Sequence, residues 1–289
     1  MATPTYRRGQ KIGPTGRPER EFPVPARLKQ HGPARIIAMS NQKGGVGKTT
    51  TTINLAASLA EYGRKVLAVD FDPQGALSTG LGVHSHEGPT IYTLLMGKEK
   101  DPYAAIKHTS VDGLDVIPAN LDLSAAEMNL VNEVGREHIL AGILKKVKDD
   151  YDVIIIDCQP SLGLLTVNAL TAAHGVLIPL ECEYFAMRGV ALLFDIMDRV
   201  RDRGLNPALK LDGILATMFD SRLLHSREVV DELVANLGDD VLETVIPRTV
   251  KFPDASKEGL PLIQYAPSHA AAEAYRTVAR ELIARGAVA

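Results

Sequence analysis

The decapeptide Asn41-Gln42-Lys43-Gly44-Gly45-Val46-Gly47-Lys48-Thr49-Thr50 decides the fold. It follows a short apolar run, Arg35 to Ser40 (RIIAMS), and leads into a stretch of helical length and periodicity, Lys48 to Glu61. Glycines let the backbone curl until successive N–H groups face one point, and the following helix adds the positive end of its dipole. Such a loop cradles a phosphate chain. Lys48 would reach the β- and γ-phosphates, and the Thr49 hydroxyl would hold Mg²⁺. The general pattern G-x-x-x-x-G-K-[ST] lacks its first glycine, because position 42 is Gln, but the strand before and the helix after are the context it requires.

Outward from this loop the same alternation continues. Apolar runs at Lys65 to Asp70, Asp152 to Asp157, Gly175 to Leu180 and Leu211 to Met218 have the near-continuous Val/Ile/Leu character of strands covered on both faces. Between them, Leu162 to Ala173, Phe185 to Arg203 and Arg227 to Asn236 read as helices, with Gly63, Gly204 and Gly238 as stops. Ser268 to Arg285 reads as a terminal helix. Strand and helix alternating predict an α/β fold, one doubly wound, mostly parallel sheet with helices on both faces and right-handed crossovers.

Two further elements carry carboxylates to the ends of strands: Asp70-Phe71-Asp72-Pro73-Gln74-Gly75, and Asp157-Cys158-Gln159-Pro160-Ser161. In an open parallel sheet the ligand crevice lies outside the carboxyl ends of the strands, so these and the glycine loop converge on one edge. Carboxylates gathered there repel unless a cation neutralises them, and Mg²⁺ on nucleotide phosphates is the obvious one. Taken singly, Asp70 or Asp157 could be an ordinary helix N-cap after a strand. Lys43 is a second lysine in a loop that Lys48 already serves, either solvated or a cation for transition-state charge.

Composition bounds the rest. The chain has 289 residues, 45% hydrophobic and 23% charged, which excludes wholesale disorder, collagen and coiled coil. Two cysteines, Cys158 and Cys182, cannot build a disulfide framework, and a reducing cytosol is the expected compartment. No apolar run approaches the ~20 residues of a membrane helix. A formal charge of −3 does not advertise a nucleic-acid binder, so any such binding needs a local patch. Residues 1–33 hold six prolines, with seven Lys or Arg against Glu19 and Glu21, and are expected to be a disordered basic tail preceding one domain over 34–289.

The loop from Lys43 to Thr50, the Asp70–Gly75 run and Asp157-Cys158-Gln159-Pro160-Ser161-Leu162-Gly163 resemble the deviant Walker A P-loop ATPases, most closely the ParA-type chromosome and plasmid partition proteins. Glu183-Tyr184-Phe185-Ala186 and Ile246-Pro247-Arg248-Thr249-Val250 extend the resemblance to about 250 residues. It implies a slow ATPase using ATP and Mg²⁺ and working as a nucleotide-sandwich dimer. By that likeness Lys43, Lys48 and Asp72 are the catalytic residues, Lys43 crossing to the partner's nucleotide and Asp72 activating water. Lys43, Gly44, Gly45, Val46, Gly47, Lys48, Thr49, Thr50, Glu183 and Pro247 would bind nucleotide, with Glu183 touching the partner's. Thr49 and Asp157 would hold the metal shell, with Asp70 behind them.

The resemblance also implies nonspecific binding of double-stranded DNA by the ATP dimer, a ParB-type partner that stimulates hydrolysis, and a cytoplasmic, nucleoid-associated protein. Arg222, Arg248, Lys251 and Lys257 match DNA-contacting positions, although residues 210–289 carry nine Lys or Arg against twelve Asp or Glu. Surface ion pairs are the plainer reading of those arginines. Gln159 and Arg188 depart from the family pattern, standing where many relatives have Pro and Glu. Three other readings stay open: a MinD-like membrane-positioning ATPase, disfavoured by the Ala-rich Thr277 to Ala289; an ATPase carrying a protein cargo on the nucleoid; and an iron–sulfur carrier with four thiolates across a dimer.

Overall fold

The computed structural model describes residues 11–84, 88–183 and 186–289, except for the side chains of Ala186 and Arg188. Its strands are β1 (Arg35–Met39), β2 (Val66–Phe71), β3 (Lys107–His108), β4 (Leu114–Ile117), β5 (Val153–Cys158), β6 (Gly175–Glu181) and β7 (Lys210–Thr217). Among the described residues they form one sheet in the order β3-β4-β2-β5-β1-β6-β7. Every pairing is parallel except that of β3 with β4.

The helices are α1 (Lys48–Glu61), α2 (Ala76–Gly80), α3 (Ile91–Leu95), α4 (Ala126–Asn129), α5 (Ile139–Leu144), α6 (Leu164–Ala172), α7 (Ala186–Asp202), α8 (Leu224–Leu237), α9 (Lys251–Lys257), α10 (Leu262–Tyr265) and α11 (Ala270–Ala284). The two-residue period of the strands sorts the core. Ile36, Ala38, Ile154 and Ile156 pack under α5 to α8, while Ile37, Met39, Val153 and Ile155 pack under α1 and α11. β2 and β5 are buried at every position, which is why their sequences are unbroken apolar runs closed by Asp and its successor.

The expected strands are all present, most within a residue of their read bounds, and α1 begins and ends at the read residues. β3 and β4 were not expected. At two and four residues, with Asp115 inside β4, they are too short to leave a hydrophobic pattern. What holds them is the neighbour: β4 pairs with β2 from Val66↔Leu114 to Val69↔Ile117.

The expected disorder of residues 1–33 needs correction. Residues 1–10 lie outside the described residues, but 11–33 run along the body as a strap. Arg17 Nη2 donates to the Val241 carbonyl at 2.7 Å, Arg20 pairs with Glu243 at 3.3 Å, and the Gly32 N–H donates to Asp152 Oδ1 at 2.9 Å. Proline density forbids helix and central strand, as read, but not an extended segment whose few donors find acceptors on the body.

The terminal helix, read as Ser268 to Arg285, docks on α1 through buried Tyr275, Val278, Ala279 and Leu282. Buried Glu281 accepts from the N–H groups of Glu243 and Thr244 at 2.7 and 3.0 Å. The apolar face of α11 is thus covered by the fold. Among the described residues no helix is long and apolar enough to cross a membrane.

Asp152 ties strap to sheet, accepting from the N–H of Lys65 at 2.7 Å and from Gly32 on the strap. Asp152→Ala leaves two part-buried backbone donors without their acceptor and is expected to cost about 1–2 kcal/mol. Urea unfolding checks this, and amide exchange should speed at Gly32 and Lys65 before it does in β5.

Candidate functional site

β1, β2 and β5 are adjacent, so their carboxyl ends bring three loops together. The loop after β1 is fixed from within: Asn41 Nδ2 donates to the Pro179 carbonyl at 2.8 Å, and Asn41 Oδ1 accepts from the Lys43 N–H at 3.0 Å. Gly45 and Gly47 have φ of 76° and 88°, a left-handed conformation that residues with a Cβ rarely adopt. These two positions let the loop fold back onto the start of α1. Lys48 is 7% exposed, with Nζ on the Lys43 carbonyl at 3.0 Å, and burial lowers its pKa while nearby Asp157 opposes that.

Register places Asp70 directly beside Asp157 on neighbouring strands. Both are sealed from solvent. Burial pushes Asp157 up to about 8, with Asp70 adding to it, and burial likewise raises Asp70 to about 6. Two buried carboxylates side by side are a demand for positive charge. Thr49 Oγ1 donates to Asp157 Oδ2 at 2.7 Å, joining the first residue after Lys48 to β5. Asp70 is held from behind by the Ser78 N–H and hydroxyl at 2.8 and 2.6 Å.

The resulting cleft, of 220 Å³, is lined by Gly44, Gly45, Gly47, Lys48, Thr49, Thr50, Asp72, Pro160 and Met218. A second cavity of 200 Å³ adjoins it, sharing Gly47, Thr50 and Met218 and adding Pro247, Phe252 and Tyr275. The pair has the form of a polar trough for a phosphate chain beside a more apolar chamber. Met218, with φ of 53°, stands at the seam.

Of the residues read from sequence, Gly44, Gly45, Gly47, Lys48, Thr49, Thr50 and Asp72 line the trough and Pro247 the chamber. Val46 is buried, its carbonyl accepting from Thr217 Oγ1 at 2.8 Å. Asp157 lies behind Thr49, and Asp70 behind Asp157, facing Ser78 rather than the trough. Lys43 is turned away. Its Nζ contacts Glu183 and lies 3.3 Å from Glu181, and the Glu183 carboxylate raises its pKa most. Tyr184 and Phe185 lie outside the described residues.

The expected DNA-contacting residues sit on the flank. A bridge between Phe219 and Pro247 sets Arg222 and Arg248 near each other. Arg222 forks onto Asp220 at 2.9 and 2.7 Å and holds that carboxyl down to about 2. Arg248 pairs with Glu181 at 3.0 Å and Lys251 with Asp254 at 3.3 Å, while Lys257 is exposed. Sequence reasoning missed Ser78, Thr217, Met218 and Glu181. Thr217 and Met218 were within reach, because they close a read strand on the ligand edge; Ser78 and Glu181 carry no motif.

The donors suit a hard cation: a hydroxyl and a buried carboxylate at one end of a trough shaped for phosphate oxygens. Among the described residues no three His, Cys, Asp or Glu could hold a metal by themselves, so an ion here would complete its shell with phosphate and water.

A P-loop opening the helix after the first strand, with carboxylates closing two neighbouring strands, defines a nucleoside triphosphatase. Residues 34–211 match the family model described as an AAA domain, AAA_31. The chain is 49% identical over 251 residues to the chromosome-partitioning ATPase Soj of Treponema pallidum, covering 87% of this chain and 98% of that one. It is 46% identical over 253 residues to the sporulation initiation inhibitor protein Soj of Bacillus subtilis, covering 87% and 99%. Among solved structures it resembles one named cobyrinic acid a,c-diamide synthase from Mycobacterium smegmatis, with bound ATP analog and magnesium. That match has a TM-score of 0.76 and 42% identity, covering 88% and 96%. The chain belongs to the ParA/Soj family of partition-type ATPases, and it is an ATPase.

Because Asp70 and Asp157 hold protons in the fold that they would release unfolded, stability should fall as pH rises from about 4, where free carboxyls titrate, to about 8. Urea midpoints at pH 5, 6.5 and 8 test this. Asp157→Asn removes the buried charge and should flatten the fall above pH 6, raising the melting temperature at pH 8 by a few degrees, roughly 1 kcal/mol.

Proposed function

We propose that the chain is a nucleotide-switched dimer that binds DNA nonspecifically as its ATP form and drives chromosome or plasmid segregation with a ParB-type partner. ATP and Mg²⁺ are its cofactors, supported by the trough geometry and by the relative bound to an ATP analog and magnesium. The observation that carries the reading is the convergence on one sheet edge of Lys48, Thr49, Asp72 and Asp157, with Arg222 and Arg248 beside it.

Lys48 and the loop amides bind the phosphate chain, and the neighbouring chamber with Pro247 takes the base. Thr49 and Asp157 would hold the Mg²⁺, which supplies charge neutralisation on the phosphates. Asp72 lies at the trough with one carboxylate oxygen on the Gln74 N–H at 3.0 Å, leaving the other to orient water. Lys43 and Glu183, now paired within the chain, would exchange that contact for the partner's nucleotide on dimerisation. Arg222, Arg248, Lys251 and Lys257 would trade their carboxylates for DNA phosphates, which makes retention steeply salt-dependent. This role would put the protein in the cytoplasm on the nucleoid, and the same chemistry would serve a protein assembly as cargo.

The synthase name of the 42% relative would ask for a different reaction. Covalent group transfer through a cysteine would need an accessible thiolate. Both cysteines are buried, and burial raises Cys158 strongly and Cys182 to about 12. Burial and the raised pKa values argue against either thiol acting as a nucleophile.

Lys48→Ala should weaken ATP binding at least 100-fold, whereas Asp72→Ala should keep binding and lose about 10²-fold or more in hydrolysis. Equal loss of affinity in both would contradict these roles. In a filter-retention assay at physiological salt, Arg222→Ala with Arg248→Ala should lower ATP-dependent DNA retention at least tenfold and leave dimer formation intact.

A further inference from the structure

The end of the sheet opposite the P-loop carries a second cleft, of 530 Å³, that ATP hydrolysis does not use. It lies between the last turn of α1, the turn into β2, the β3–β4 turn and α10, and the strap closes it with Arg27 and His31. The length of β2 separates it from Asp72, roughly 20 Å at ~3.3 Å per residue.

Arg64 is the unusual residue there. It is 3% exposed, yet its guanidinium bonds only backbone oxygens: Nε to Ala289 at 3.0 Å, and Nη1 to Ala26 and Tyr62, both at 2.8 Å. Nη2 has no partner among the described residues, and Arg64 lines the cleft. Burial lowers its pKa, and Asp152, the carboxylate that opposes this, spends its oxygens on Lys65 N–H, Gly32 N–H and His31. Apart from the last residue, Ala289, no acidic group is in contact with this guanidinium, and its remaining nitrogen is left for the open space. Exposed Arg27 and Lys65 approach the same space from different segments. Of the two carboxylates on the lining, Glu61 is already forked by Arg276 at 2.7 and 3.2 Å, which leaves Asp112.

We propose that this cleft binds a small phosphate-bearing anion of mononucleotide size. A carboxylate offers two oxygens in one plane and is satisfied by one guanidinium fork. Here Arg64 shares the lining with Arg27 and Lys65, which come from other segments, a donor set that suits a tetrahedral oxyanion. Ala57, Ala60, Val111 and Ile263 form an apolar side for the organic body, and the volume is that of a small-ligand site. The strap is part of the site: a Cβ on Gly63 would come within 2.9 Å of Arg27 Cγ, so Arg27 lies flush on the turn. Occupancy would fasten the strap to the body.

The test uses the full chain saturated with Mg·ADP, so that the P-loop is filled, titrated calorimetrically with uridine 5′-monophosphate and separately with inorganic phosphate. One further site per chain is expected, weakened at least tenfold by Arg27→Ala with Lys65→Ala, with ADP affinity unchanged. Both substitutions alter exposed side chains, so folding is retained. Tighter binding of the monophosphate points to a phosphorylated metabolite, and equal binding to free phosphate. Absence of binding by either probe at millimolar concentration, or binding indifferent to the double variant, overturns the proposal.

Discussion

The rest of the molecule is arranged around one electrostatic problem: two carboxylates, Asp70 and Asp157, held in register on adjacent strands and shut away from water. Parallel pairing of β2 with β5 makes their juxtaposition unavoidable once both strands end in aspartate. The surrounding structure answers from three sides. Ser78 gives Asp70 two hydrogen bonds, Thr49 gives Asp157 one, and Lys48 stands near enough to lower the cost of ionisation. None of these supplies a full positive charge in contact. The site is electrically incomplete, and a divalent cation carried in on phosphates completes it.

That incompleteness links stability to ligand. Burial favours the protonated form most at Asp157, and a cation brought on phosphates would favour its ionised form instead.

Much of this was legible in the chain itself. The glycine loop between an apolar run and a periodic helix, and aspartates closing two further runs, place the edge without any coordinates. The central strands were readable because both faces are covered, so hydrophobicity is continuous. β3 and β4 were not, since their existence depends on a neighbour rather than on their own pattern. The strap was misread for a related reason: prolines declare what a segment cannot form, but not what its remaining donors can reach, and Arg17 and Gly32 reach Val241 and Asp152 across more than a hundred residues. Lys43 shows the limit for side chains. Its position is set by the loop, but its direction is set by Glu181 and Glu183, which no spacing rule connects to it.

Met218 closes β7 with a backbone twist that ordinarily belongs to glycine or asparagine. A side chain forked at its Cβ would crowd the backbone in that shape, so valine, isoleucine and threonine are disfavoured at position 218. At this point of the seam between trough and chamber an unbranched side chain is therefore favoured. The shape of that doorway thus depends in part on a single backbone angle.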